Sequence, residues 1–330
     1  MSNIPVTMKV IAITQPGGPD VLALAERPVP APKAGELLVK VAATGVNGPD
    51  MMQRKGLHPP PAGASDLLGL EVSGEIVAVG DQVKRWKIGD QVAALTNGGG
   101  YAEYCVADAL HCLPLPTGVG LIDAAGLPET FFTVWSNVFI GARLAAGETF
   151  LVHGGAGGIG TTCIQLGKAF GAKVIATDSP AERCRICSDL GADRVIDYRA
   201  EDFVEVVRKE GGANVILDIV GGPNIERNLK AATHDARIIQ LAFGQGSKVE
   251  INLMPVMLKR LTYTGSTLRT RPPAYKAQVA RELEEKVWPL IAGGKIKPVV
   301  NATFALADAG KAHALMESST HTGKIVLKVG

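Results

Sequence analysis

The sequence predicts an α/β protein in two parts. An antiparallel β barrel fills residues 1–125, a doubly wound parallel six-stranded sheet fills residues 126–271, and residues 272–330 return to the barrel. Three observations carry this. Short runs with turns between them fill the first part, the rhythm of antiparallel strands. From Thr149 onward, strand-like and helix-like segments alternate, as in a parallel sheet with crossover helices. Where the second part begins, an apolar run passes through a small-residue turn straight into a helix-period pattern.

Taken in order, Met8–Thr14 reads as the first strand and Leu22–Glu26 as its hairpin partner, turned by Gly17, Gly18 and Pro19. Pro28, Pro30 and Pro32 make an extended connector. Glu36–Thr44 alternates its faces, Val72–Val79 follows, and Gly89 with Asp90 turns the chain into Val92–Leu95. Around Asp123 small and aromatic residues mix over a helical length, predicting one helix that crosses into the second part. The six strands of the sheet are then Thr149–His153, Lys173–Thr177, Arg194–Ile196, Asn214–Ile219, Arg237–Leu241 and Leu261–Gly265. One amphipathic helix is predicted over Ala274–Ile291, and Lys324–Val329 supplies a strand that rejoins the barrel.

Composition narrows the function. A chain of 330 residues is long enough for two domains with their own cores. A net charge of +2 gives no case for nucleic acid or a membrane surface as partner. No apolar run reaches transmembrane length, and MSNIPVTMKV lacks the apolar centre of a secretory signal. Five scattered cysteines suggest a reducing compartment, so the expected location is cytoplasmic.

The central stretch is GETFLVHGGAGGIGTTCIQLGK, Gly147 to Lys168. Thr149–His153 reads as a buried strand. Ile159, Cys163, Leu166 and Phe170 recur at helical spacing after the turn. Gly155, Gly157 and Gly160 satisfy G-x-G-x-x-G in the strand-turn-helix setting that a dinucleotide requires. Gly155 allows the tight turn, Gly157 lets backbone approach the pyrophosphate, and Gly160 lets helix pack on strand. Ala156, Gly158 and Ile159 complete the cradle at the helix N-terminus, where free N–H groups favour an anion.

Residues Gly147, Glu148, Leu151, Gly155, Ala156, Gly157, Gly158, Gly160, Gln165 and Lys168 resemble the signature of the quinone oxidoreductase and zeta-crystallin branch of the medium-chain dehydrogenase/reductases. DMMQRKG, LLGLEVSGEIVAVG and STLRTR extend the resemblance through nearly the whole chain, closest to the tumour-suppressor-inducible quinone reductases. It implies a GroES-like catalytic domain beside a Rossmann domain.

It also implies site residues. In the zinc alcohol dehydrogenases of the same architecture a cysteine lies where this chain has Asn47 and a histidine where it has Leu70. The four-cysteine zinc lobe is missing between Ala94 and Tyr101. Asparagine and leucine do not replace thiolate and imidazole around zinc, so no metal is expected. Cys184 and Cys187 form an isolated CxxC inside a predicted helix and read as packing. The resemblance places Asn47 and His58 beside the nicotinamide as catalytic candidates; His58 stands where many relatives carry tyrosine. It further implies cofactor contacts from Thr133, Phe243, Gly244, Leu268 and Arg269, and from Lys324 near the pyrophosphate.

Which nicotinamide cofactor binds is left between two readings. Asp178 ends the second strand of the sheet, eighteen positions after Gly160, where a carboxylate would accept the ribose 2′-hydroxyl of NADH. Arg183 and Tyr198 match positions that hold the 2′-phosphate of NADPH in relatives. NADPH is the expected cofactor and NADH the alternative. The expected activity is zinc-independent hydride transfer to a quinone. An enoyl or enone reductase and a non-catalytic nucleotide-binding protein are the competing readings. A homodimer is expected, with Leu261–Gly265 pairing across a two-fold axis.

Overall fold

A computed structural model describes residues 4–330. Its strands, in chain order, are β1 (Thr7–Ile13), β2 (Leu22–Pro28), β3 (Glu36–Val46), β4 (Glu71–Val79), β5 (Gln91–Leu95), β6 (Tyr104–Asp108), β7 (Cys112–Pro114), β8 (Thr149–His153), β9 (Lys173–Asp178), β10 (Arg194–Asp197), β11 (Ala213–Asp218), β12 (Ala232–Gln240), β13 (Thr262–Gly265), β14 (Val300–Ala305) and β15 (Lys324–Lys328). The chain divides into two compact units, one of residues 4–132 with Arg269–Gly330 and one of Thr133–Leu268.

In the first unit β1 and β2 form an antiparallel hairpin, and a larger sheet runs β14-β15-β3-β4-β5-β7 with β6 also on β3. Its pairs are antiparallel except β14 with β15, so the carboxyl-terminal segment adds a parallel edge that the strand rhythm did not indicate. Alternation along β3 explains the core: Leu37, Val39 and Val41 are buried and Lys40 between them is exposed. They pack with Val72, Ile76 and Val92.

The second unit is a six-stranded parallel sheet in the order β10-β9-β8-β11-β12-β13. The order reverses between β8 and β11, and in such sheets ligands bind beyond the carboxyl ends of the strands at that switch point. Leu151, Ile175, Ile196, Ile216 and Ile238, one from each of five strands, share a core with Phe203 and Leu229.

Two segments differ from expectation. The crossing segment is not one helix: Leu121–Ala124 and Pro128–Val134 are separate α-helical pieces, followed by a π-helical stretch Trp135–Gly141. Gly126 and Pro128 interrupt the first two, since proline has no N–H to continue a helix. Likewise Ala274–Ile291 is two helices, Pro273–Lys286 and Trp288–Ala292. They join at Val287, whose φ of −110° departs from helical values, just ahead of Pro289. The unit boundaries also move. The first unit continues past residue 125 to Phe132, because Leu127, Phe131 and Phe132 are buried there, with Phe131 edge-on to Trp288 at 6.2 Å. It resumes at Arg269 because that side chain is anchored in it.

Candidate functional site

The second unit contains the glycine turn. Helix Gly158–Ala169 starts immediately after Gly157, and its first backbone bond outside the helix body runs from the Thr161 N–H to the Gly157 carbonyl at 2.8 Å. The N–H groups of its first turn have no acceptor one turn earlier within the helix. The three motif glycines meet different surroundings. A Cβ on Gly160 would lie 2.2 Å from the Gly154 carbonyl oxygen, so helix and turn touch there. A Cβ on Gly155 would lie 2.7 Å from Cys187 Sγ and 2.9 Å from Ala176 Cβ. At Gly157 the nearest atom would be the Gly154 carbonyl oxygen at 3.5 Å, ordinary contact. Gly155 and Gly160 are thus closed by the protein itself, and Gly157 is left uncrowded, which fits an incoming pyrophosphate.

Cys187 is buried in helix Ala181–Asp189, its thiol pushed up to about 12 by burial, and it fills space against Gly155. Cys184 lies half-buried in the same helix.

Asp178 is 3 % exposed and turned toward the glycine loop. Its Oδ2 accepts the Ala156 N–H at 2.7 Å; its Oδ1 accepts the Ser179 N–H at 2.8 Å and Arg183 Nε at 2.7 Å. Arg183 Nη2 adds a longer bond to Oδ2 at 3.3 Å. Ala156, expected among the cofactor contacts, gives its N–H to Asp178, and Asp178, expected beside the ribose or its phosphate, takes four hydrogen bonds from its own unit. Tyr198 joins this corner through its backbone N–H, 3.3 Å from the Asp178 carbonyl, while its side chain is half exposed. Phe243 is also about half exposed and lies over Gly221, whose Cβ would come within 2.9 Å of the ring; Gly244 N–H reaches the Ile219 carbonyl at 3.3 Å. Thr133 is buried, with its carbonyl accepting Ser136 Oγ and Asn137 Nδ2, and Leu268 is half-buried at the end of this unit.

In the first unit Asn47 precedes helix Gly48–Arg54 and is buried. Its Nδ2 donates to Glu71 Oε1 at 2.9 Å and its Oδ1 accepts from the Lys324 ammonium. Lys324 also pairs with Glu71 Oε1 at 2.7 Å and reaches the Val46 carbonyl at 3.3 Å. Lys324, expected near a pyrophosphate, holds its buried ammonium in this cluster. Asn47 was expected to meet substrate or cofactor, and both ends of its amide are engaged here. The Glu71 carboxylate completes the knot by accepting the Glu129 N–H at 2.8 Å. Neighbouring Asp50 accepts N–H groups from Asn47 and Gly69 at 2.9 Å each. Burial raises its carboxyl to about 6 against the pull of those donors.

His58 is half-buried and makes no hydrogen bond among the described residues. Burial first, and then the positive Arg269, hold its pKa below the ordinary imidazole value, so the ring is neutral near pH 7. Arg269 was expected as a cofactor contact. Its guanidinium is buried on the Asn97 carbonyl at 2.6 and 3.0 Å and on Gln53 Oε1 at 2.8 Å, so it staples a loop of its own unit. Lys276 holds the same loop through Asn97 Oδ1 at 2.7 Å.

Sequence reading missed Glu71, Asp50 and Arg54. The signal for Glu71 was available: a carboxylate at the first position of the largely apolar β4. Asp50 forms a capping box with Asn47 three residues earlier, a spacing visible in the sequence, whereas Gly69, which it also holds, and Gly17, His313 and Glu317, the partners of Arg54, are distant in the chain.

Residues 158–285 match the family model described as zinc-binding dehydrogenase, and residues 33–117 match the alcohol dehydrogenase GroES-like domain. The chain is 31% identical over 331 residues to the quinone oxidoreductase of Mus musculus, with 97% of each chain covered. It is 30% identical to the structure of Escherichia coli quinone oxidoreductase complexed with NADPH, with a TM-score of 0.86 and 98% of this chain and 100% of that one covered. The structure of CurK enoyl reductase is 26% identical, with a TM-score of 0.87 and 99% and 100% coverage.

Proposed function

Because the chain belongs to the quinone oxidoreductase and zeta-crystallin branch of the medium-chain dehydrogenase/reductases, and is therefore an NAD(P)H-dependent oxidoreductase, we propose that it transfers hydride from NADPH to a quinone without zinc. The observation that carries the nucleotide part is the open position at Gly157 between two glycines closed by protein atoms. The related structures complexed with NADPH support the choice of cofactor.

Zinc does not suit the residues at its family positions. Leu70 offers no donor, and the one oxygen of Asn47 is held by the Lys324 ammonium, a cation that would repel a metal ion. A quinone needs no strong Lewis acid, since it is electron-poor and its reduced oxygens take protons from water. Bound NADPH supplies the hydride. The chain then has to hold the pyrophosphate on the helix N-terminus and offer a donor where negative charge develops on oxygen. A neutral His58 is the candidate donor. The Glu71–Lys324 pair orients Asn47 and the start of its helix, so we assign Asn47 a positioning role.

An assay of NADPH oxidation with 1,2- and 1,4-quinones beside an α,β-unsaturated ketone tests this. Quinone-dependent turnover that survives dialysis against a strong chelator is expected. Stoichiometric zinc whose removal abolishes activity would overturn the metal-free reading. Preference for the enone would favour the enoyl reductase reading, which the similarity to CurK supports. Binding of NADPH without turnover of either would leave a nucleotide-binding protein of the zeta-crystallin kind.

We also propose a homodimer. All four residues of β13 are exposed, and β13 is the last strand of its sheet. Met254, Met257 and Leu258 on the helix just before it are more than half exposed. Pairing with a second copy would satisfy that edge and cover those side chains. Sedimentation at micromolar concentration should give a dimer; a clean monomer would refute it.

A further inference from the structure

Below the glycine turn, four side chains from separate elements of the second unit form a buried polar row. His153, at the end of β8, is 1 % exposed, and its partners Thr177, Asn228 and Asp218 are equally enclosed. His153 Nδ1 is 2.9 Å from Thr177 Oγ1, and Nε2 is 2.8 Å from Asn228 Oδ1. Asn228 Nδ2 donates to Asp218 Oδ2 at 2.8 Å. Asp218 Oδ1 accepts the N–H groups of Val220 and Gly221 at 2.6 and 3.0 Å.

The direction of every bond follows from the end of the row. A carboxylate accepts only, so the amide nitrogen of Asn228 must face Asp218 and its oxygen must face the histidine. His153 therefore carries its proton on Nε2, and Nδ1 accepts from the Thr177 hydroxyl. Burial holds the imidazole neutral, and that is what leaves Nδ1 as an acceptor for the Thr177 hydroxyl.

Both ends of the row carry cofactor-facing loops. Thr177 also accepts the Gly154 and Gly155 N–H groups on its carbonyl, at 3.0 Å each, and so supports the pyrophosphate turn. The Asp218 end fixes the turn through Val220 and Gly221, on which the Phe243–Gly246 loop rests. Gln245 N–H reaches the Val220 carbonyl at 2.7 Å, and Gly222 N–H reaches the Gly246 carbonyl at 2.8 Å. The surrounding strands are apolar, and an apolar row would avoid the cost of enclosing four polar groups. What the polar row adds is a fixed length and direction between the two loops.

We propose that His153 is a positioning residue for the cofactor, setting the spacing between the pyrophosphate turn and the Phe243–Gly244 loop through Thr177 on one side and Asn228–Asp218 on the other. This rests on reading the unit as a nicotinamide-nucleotide site. A ligand that spans both loops depends on that spacing, and a fragment that occupies only the adenosine end does not. The test compares NADPH with adenosine 2′,5′-bisphosphate by titration, on wild type, His153→Leu, and the near-isosteric Thr177→Val, which removes one hydroxyl and keeps the test available if His153→Leu does not fold. NADPH affinity is expected to fall about tenfold or more in the variants while the fragment binds as in wild type. Hydrogen exchange should rise in residues 219–222 of Thr177→Val, at the far end of the row. Equal losses for both ligands, or no loss for either, would overturn the positioning role. Failure of wild type to bind NADPH would overturn the nucleotide reading itself, a different result.

Discussion

Gly157→Val is expected to fold like the wild type and to lose NADPH binding by about a hundredfold or more, roughly 2.8 kcal/mol at about 1.4 kcal/mol per factor of ten. Folding should survive because the protein leaves room. The backbone at Gly157 has φ −77° and ψ 174°, extended values open to any residue, and the closest atom to an added Cβ is 3.5 Å away. Binding should fail because a branched side chain then occupies the space through which a pyrophosphate reaches the helix N-terminus. Gly160→Ala makes the contrasting case. Its Cβ would sit 2.2 Å from the Gly154 carbonyl oxygen and 2.6 Å from Gly155 backbone atoms, so the helix must move or the fold weaken. Thermal melts with fluorescence titration of NADPH separate the two. A Gly157→Val protein with unchanged affinity would reduce the turn to a structural feature. A Gly160→Ala protein as stable as wild type would show that helix and turn are free to separate.

The asymmetry between these two glycines explains what a sequence can and cannot reveal. Motif spacing located the turn and its helix because both are local: a strand, a tight reversal and a 3.6-residue period lie within one stretch. The limits of β8 and the six parallel strands of a doubly wound sheet followed from the same alternation. What spacing did not disclose is where charged side chains go. Arg269, Lys324 and Asp178 each stand at positions that suggest contact with an anionic or ribose group, and each is satisfied within its own unit by partners such as Asn97, Glu71 and Ala156. Those partners are set by tertiary packing, in two cases from residues far away in the chain. The broken helix at Val287 is a different kind of miss. Pro289 was visible, but apolar periodicity ran through it and the pattern outweighed the missing N–H.

The cofactor ratio, not either affinity alone, is where Asp178 and Arg183 should show their roles. In the folded protein the Asp178 carboxylate does two jobs: it holds the glycine turn through the Ala156 N–H, and it neutralises and orients the Arg183 guanidinium at 2.7 Å. Asp178→Ser removes both. Loss of the clamp should weaken every dinucleotide, by about 1–3 kcal/mol for hydrogen bonds to a charged group. Release of the guanidinium has the opposite sign for NADPH only, because an uncompensated positive charge about 4 Å from the 2′-phosphate is worth roughly 1–4 kcal/mol, depending on screening. NADH should therefore lose most, and the preference for NADPH over NADH should rise. Arg183→Ala should move the ratio the other way. It leaves the buried carboxylate facing the phosphate without its counter-charge, so NADPH weakens while NADH, with no 2′-phosphate, stays nearly unchanged. Because that substitution strands a negative charge that is 3 % exposed, a melting curve must accompany it. Affinities of wild type and both variants for the two cofactors decide the matter. A wild type that prefers NADH at least about tenfold, or 1.4 kcal/mol, would overturn the choice of NADPH. Ratios that stay fixed in both variants would show that this charged pair serves the turn alone and leaves cofactor choice to other residues.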